Sequence, residues 1–426
     1  MKKLLLALIT SVIYLTVNAQ REPDGVYNDN IKTIQLFRQN NPFSYPIISL
    51  GDVGSMELHF DDLGGRVRNY FYTYELCDAN WQPVMLGLFD YIKGFQQSRI
   101  TQYRPSSIAT TNYIHYQALL PERNAQPSKA GNYLLKVFEN GDTSKLLFTK
   151  RFLVVDPIVN IGAQVQQPYN PEIFRTHQKI QLVISKFNLQ LLNPKEQLKV
   201  VVLQNYRWDN PITGIQPTFI RNGTLEYNAE LDLIFPAGKE YRWADLRSFR
   251  FQSERVASVN MQAQPFEVAL KPDGERASQR YLFFQDNNGF SQTASTDLIN
   301  PWWQGDYANV KFTFVPSGKQ PIAGYDVYLA GQFTNYKYNN ATKLQYNAAE
   351  GVYETTQLLK QGYYTYNYVT VPSASAGKIL SIHTDGNYWE TENDYTILVY
   401  YRGLGDRYDA LIGITTVNSR NSRVGF

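Results

Sequence analysis

The chain has 426 residues, with 41 Lys plus Arg against 38 Asp plus Glu and a formal charge of +3. That balance excludes a polyanion binder working through a basic excess, and the single cysteine, Cys77, excludes an intramolecular disulfide or a thiolate zinc centre. With 32 Tyr, 14% aromatic and only 19% charged residues, the chain is neither disordered nor a long-helix protein; it carries the residue types of half-buried sheets.

In chain order, residues 1–19 read as a secretory signal peptide. Lys2 and Lys3 give the positive start, residues 4–15 the apolar stretch, and Val17-Asn18-Ala19 the small-residue end, which places cleavage before Gln20. The apolar run is too short to span a bilayer comfortably, and no cysteine follows it for lipid attachment. The expected product is exported, with no membrane-spanning helix. Residues 30–38 offer the best helical spacing, with Ile31, Ile34 and Phe37 on one side.

Beyond this point strand signals dominate. His59, between Leu58 and Phe60, and His115, sharing a face with Tyr113 and Gln117, read as outward residues of strands. Tyr133, Leu135 and Val137 share a face; Asn140-Gly141 supplies the positive-φ pair of a hairpin and residues 147–155 return. The same turn chemistry recurs at Asn222-Gly223, between 218–221 and 224–233, and at Asn288-Gly289 after 281–284. Tyr364, Tyr366 and Tyr368 alternate with polar residues, whereas 395–401 is apolar at successive positions and predicts a strand covered on both faces.

Asp156-Pro157 and the polar stretch 286–300 punctuate the chain into 20–156, 157–300 and 301–426, each the size of one sandwich. The fold class expected is all-β, a tandem of three immunoglobulin-like or early-set β-sandwich modules. An internal echo supports related architecture: Lys129-Ala130-Gly131-Asn132-Tyr133 resembles Lys360-Gln361-Gly362-Tyr363-Tyr364, and Ala237-Gly238 before Tyr241 is a looser third copy.

The chemistry-bearing motifs are missing. There is no G-x-S-x-G elbow, phosphate-binding glycine loop or H-E-x-x-H pair. Glu390, Glu392 and Asp394 would share one face if extended, which raises carboxyl pKa values as a glycosidase acid requires, but a solvated strand face or loop explains them as well. An oxygen-ligand calcium site from Asp385, Asn387, Glu390 and Glu392 fits no standard loop. Cys77 beside Asp78 reads as an ordinary sheet residue. Catalytic, metal and cofactor residues are therefore expected to be none. Aromatic excess serves core pairing, sugar platforms (Trp302, Trp303, Trp389) or a protein interface. An outer-membrane barrel, suggested by tyrosine abundance and Phe426, is opposed by the polar end at 418–425 and by Pro-rich joints.

Several stretches, in order, resemble the type 9 secretion system plug protein family: residues 72–83 (YTYELCDANWQP), 90–95 (DYIKGF), 111–116, 130–133, 286–289, 324–333, 360–368, 387–392 and 394–402 (DYTILVYYR). Separately, 327–333 with 362–368 is similar to the early-set sandwiches that include glycogen-binding modules. The plug resemblance implies a non-enzymatic periplasmic protein at the inner side of the outer membrane. Such a protein binds and seals the periplasmic opening of the large translocon β-barrel, without nucleic acid, cofactor or small-molecule substrate. A carbohydrate-binding or glycan-processing protein is the alternative, and an outer-membrane β-barrel the second. Trp302 and Trp303, beside Pro301, are the residues picked for a partner contact, against packing between the second and third modules.

Overall fold

A computed structural model describes residues 22–185, 189, 191–221, 223–374 and 379–421. The signal-peptide reading of 1–19, Asn222 of the second turn and Phe426 lie outside these residues. The described chain is almost all β, in several sheets.

The first core lies between two sheets. One orders Ile31–Arg38, Met56–Asp62, Ile114–Leu120 and Gln102–Pro105; the other orders Ile47–Ser49, Leu146–Val155, Gly131–Glu139, Tyr70–Cys77 and Ser98–Arg99. Alternating side chains from both meet inside: Phe60, Tyr72, Tyr74, Tyr116, Tyr133 and Phe148 are all buried there. The Asn140-Gly141 hairpin forms with φ of 54° and 74°. Residues 31–38 are a strand and not the expected helix. The register slips between Lys32 and Gln35, and Thr33 sits at φ 52°. This bulge inserts a residue into the alternation, so the core-facing Ile31 and Ile34 fall three apart; with Phe37, which stacks on the opposite face against His59 and Trp302, they imitate a helical period.

The second core is assembled from distant parts of the chain. Asn160–Gln166, His177–Ser185, Thr224–Tyr227 and Phe219–Arg221 form one sheet, with Ile234–Pro236 also paired to His177–Ser185. The opposing sheet joins Leu198–Gln204 to Asp394–Tyr401 and Ala410–Asn418. Between them in sequence lies a third core, whose central strands are Tyr307–Val315, Val352–Lys360 and Gly362–Pro372. The first expected boundary, 156/157, falls just after the last strand of the first core. The second, 300/301, is crossed by five strand pairings, among them Leu198–Gln204 with Asp394–Tyr401 and Arg242–Asp245 with Gly362–Pro372. The polar stretch read as a joint lies within the inserted part, because pairing between strands distant in sequence leaves no local mark.

This arrangement explains the doubly apolar run at 395–401. Tyr395, Ile397 and Val399 face the second core, while Leu398 and Tyr400 face Trp81, Leu134 and Leu153 of the first part. The echo also has a physical basis. Tyr133 Oη donates to the Lys129 carbonyl at 2.9 Å, and Tyr364 Oη to the Lys360 carbonyl at 2.5 Å. Each is a tyrosine corner fixing the start of a long strand. Gly362 is required there, since a Cβ would lie 2.3 Å from the Gln292 carbonyl oxygen. Tyr241, in the looser copy, carries no such bond; its N–H donates to Asp286. Residues 281–284, expected as a strand, are irregular, although Asn288-Gly289 does adopt the positive-φ turn.

Candidate partner-binding surface

Trp302 and Trp303 open a short helix, Pro301–Gln304, capped by the Asn300 side chain, which accepts from the Trp302 N–H. The structure places them in the seam between the first and inserted parts, both half-buried. Trp302 stacks on His59 at 3.9 Å and 6°, and the Arg104 guanidinium lies over Trp303 at 4.6 Å. The two histidines expected to face outward are buried here, because the inserted part covers that sheet face. Asp61 is the hub: one oxygen accepts from Tyr307 Oη at 2.6 Å and from Lys360 Nζ, and the other pairs with His115 Nδ1 at 2.7 Å. His115 then meets His59 at 3.1 Å. Asp306 accepts five bonds, four from the N–H and hydroxyl groups of Thr110 and Thr111 and one from the Tyr307 N–H. Burial favours the neutral form of Asp61, yet the Lys360 and His115 charges and bonds outweigh it and hold its carboxyl below the usual range. Burial pushes the His115 imidazole down to about 4, against the pull of Asp61. Every strong group in this seam is matched inside the chain.

The carboxylates near 390 form a second polar corner. Glu392 and Asp394 share donors: Asn418 Nδ2 bonds both, and Asn288 Nδ2 reaches Glu392 at 3.1 Å and Asp394 at 3.4 Å. Burial, helped by Glu392 and Glu240 and opposed by the Asn288 and Tyr241 N–H groups, raises Asp286 to about 7. Glu390 stands apart and exposed. Asp385 lies between Arg242 and Arg276 at 2.6 and 2.9 Å, so the oxygen set 385, 387, 390 and 392 does not converge. Among the described residues no group of three or more His, Cys, Asp or Glu is placed to hold a metal. Trp389 packs against the second core. Cys77 is a buried free thiol whose pKa burial raises.

The exposed chemistry lies elsewhere, at 84–95 of the first part. Asp90 accepts from the Gly87 N–H at 2.8 Å and starts the single turn Leu88–Tyr91. Tyr91 and Ile92 then point into the first core. Ile92–Gly94 pairs with Ala125–Pro127, and Gly94 turns at φ 96°, where a Cβ would sit 2.1 Å from the Asn124 carbonyl oxygen. The loop is thus pinned from below. On its other side Met85 is 91%, Phe89 83% and Phe95 64% exposed. Met85 also borders a depression with Pro83, Val84, Asp78, Arg402 and Arg407. That brings in the 402–407 turn of the last hairpin, where Leu404 projects 94% exposed.

The two parts bearing this surface are welded beneath it. Buried Asp409 accepts from the Ala79 N–H at 2.9 Å and ion-pairs Lys199 and Arg402 at 3.0 and 2.8 Å. Full burial of a side chain such as Phe89 or Met85 is worth about 1.5–3 kcal/mol, and here that apolar surface is left open to solvent. The signal in sequence was the run Val84-Met85-Leu86-Gly87-Leu88-Phe89, apolar without strand alternation.

Fold and surface together define a class: an all-β scaffold of several sheets whose exposed apolar side chains sit on a rigidly anchored loop. Residues 31–156 match the type 9 secretion system plug protein 1st domain, which contains that loop. A crystal structure of a hypothetical protein from Parabacteroides merdae ATCC 43184 is 34% identical, with a TM-score of 0.88, over 93% of this chain and 99% of that one. No curated protein matches the chain. The chain belongs to the type 9 secretion system plug protein family, and its role is associated with that secretion system in the cell envelope. No helix among the described residues is long and apolar enough to cross a membrane.

Proposed function

We propose that the protein is a non-enzymatic periplasmic plug that binds the periplasmic mouth of the type 9 translocon barrel and seals it. Barrel diameter grows with strand number, and the largest single-chain barrels reach about 36 strands; a pore of that width leaks solutes whenever it stands empty. Three β cores, joined by the Asp61 seam and by the apolar contact around Tyr400, make a bulky obstruction. The observation that carries the reading is the exposed apolar set Met85, Leu88, Phe89 and Phe95 within the matched domain. A seal that must also release suits an interface of ordinary size, about 1,200–2,000 Å².

Deleting the gene while keeping the translocon tests this. The expected result is increased entry of large antibiotics with unchanged glycan turnover. Normal resistance in the deletion strain contradicts it.

A further inference from the structure

A cavity of about 620 Å³ lies where the three parts meet, walled by the bulged strand at 31–37, by 206–209 and by 332–342. Five of the thirteen non-glycine residues with positive φ among the described residues line it: Asp24, Thr33, Tyr206, Asn335 and Tyr336. Threonine and tyrosine rarely adopt that conformation, and such residues persist where the surroundings over-determine them, commonly at ligand clamps.

The wall chemistry is unbalanced in one direction. Tyr45, Arg151, Tyr206 and Trp208 all line the cavity, and Tyr45 Oη, Tyr206 Oη, Arg151 Nε and Trp208 Nε1 are each buried without a hydrogen-bond partner among the described residues. The Tyr206 and Trp208 rings meet edge-on, with centroids 6.0 Å apart at 80°, and neither polar atom finds a hydrogen-bond partner among the described residues. Two of these four atoms can only donate and the phenols can do so. Buried donors of this kind are almost always matched by an acceptor.

The charges lean the same way, since five basic side chains line the wall against three acidic ones. Arg151 and Lys150 share Asp24, at 2.8 and 3.9 Å, and Lys337 pairs with Glu22 at 2.6 Å. Lys32 is held in the sheet opposite Asp61, and its side chain has no ion pair or hydrogen bond among the described residues. The apolar part of the wall is aromatic and flat, with Tyr45 stacked on Tyr206 at 3.9 Å and 15°. The volume falls within the range of about 300–1,000 Å³ usual for small-molecule sites, and the junction of domains is a usual location.

We infer that this junction cavity is a binding site for a small organic anion with a planar apolar body. The anion takes the unpaired donors and the Lys32 charge, and the planar body lies against the tyrosine faces. Such a ligand touches all three parts at once and so strengthens their mutual fixation.

The test uses the folded full chain and two fluorescent probes of similar shape, anilinonaphthalene sulfonate and the uncharged N-phenylnaphthylamine. Saturable binding of the anionic probe is expected, with the neutral probe clearly weaker. Lys32→Met should weaken the anionic probe about tenfold, the equivalent of 1.4 kcal/mol, and leave the neutral probe unchanged. Trp208→Phe keeps an aromatic face, removes the N–H and should weaken the anionic probe several-fold. Thermal melting establishes that both variants are folded. No saturable binding, or anionic-probe affinity indifferent to both substitutions, or equal sensitivity of the neutral probe, overturns the inference.

Discussion

The seam around Trp302 and the loop at 84–95 both carry large aromatic side chains on a rigid footing, and they use them in opposite ways. In the seam Trp302 is sandwiched on His59, and the charges beneath it are spoken for by Asp61, Lys360 and Tyr307. At 84–95 the inward half, Tyr91 and Ile92, is fixed in the core, while the outward half, Met85 and Phe89, meets solvent. One surface holds the molecule together, and the other is presented. Aromatic abundance in the sequence cannot separate the two, because an aromatic side chain suits either burial against its own chain or burial against another.

That contrast can be broken most forcefully at the seam. Lys360→Met leaves the Asp61 carboxylate buried without its main counter-charge and should cost about 3–5 kcal/mol, read as a drop in the urea midpoint at pH 7. A loss below about 1 kcal/mol means the seam does not hold the two parts together.

Acidification should act on the same seam. His115 titrates at about 4 in the folded chain against 6.5 ordinarily, so the unfolded chain takes up the proton first. This contribution is complete above pH 6.5 and is lost as pH falls from there towards 4. Asp286 has the opposite sign: with its carboxyl raised from 3.8 to about 7, the fold keeps a proton that the unfolded chain has released, and stability falls as pH rises through that window. Urea midpoints at several pH values should show His115→Gln removing the acid loss and Asp286→Asn removing the loss towards neutrality. Superimposable profiles for the variants and the parent would contradict both assignments.

Gly94→Ala forces a side chain against the Asn124 carbonyl at positive φ and should destabilise by about 1–3 kcal/mol. Its unfolding curve tests whether the loop is truly pinned. The smallest effect on stability belongs to Met85→Ser with Phe89→Ser, within about 0.5 kcal/mol, because neither side chain packs in a core.

Much of the fold was readable from alternation. The hairpin at 140–141 and the doubly covered strand at 394–401 follow directly from which positions are apolar. Ile31–Arg38 was not, since the bulge at Thr33 disguises a strand as a helix. The division of the chain at 300 failed for another reason: the pairing of 198–204 with 394–401 is a long-range fact with no local signature. Alternation placed His59 and His115 on the right strands but could not say what covers their face. The presented surface was half visible. Its anchor, 90–95, lay within a stretch resembling the family, whereas Met85 and Phe89 matter only because the fold leaves them uncovered.

The most direct test is to recover the tagged protein from detergent-solubilised envelopes and identify what comes with it by mass. The parent chain should carry a very large outer-membrane β-barrel, and the folded Met85→Ser, Phe89→Ser variant should lose it at least about tenfold, as expected when central apolar contacts are removed. Absence of such a barrel from the parent preparation, or equal recovery with the variant, contradicts a sealing role built on this surface.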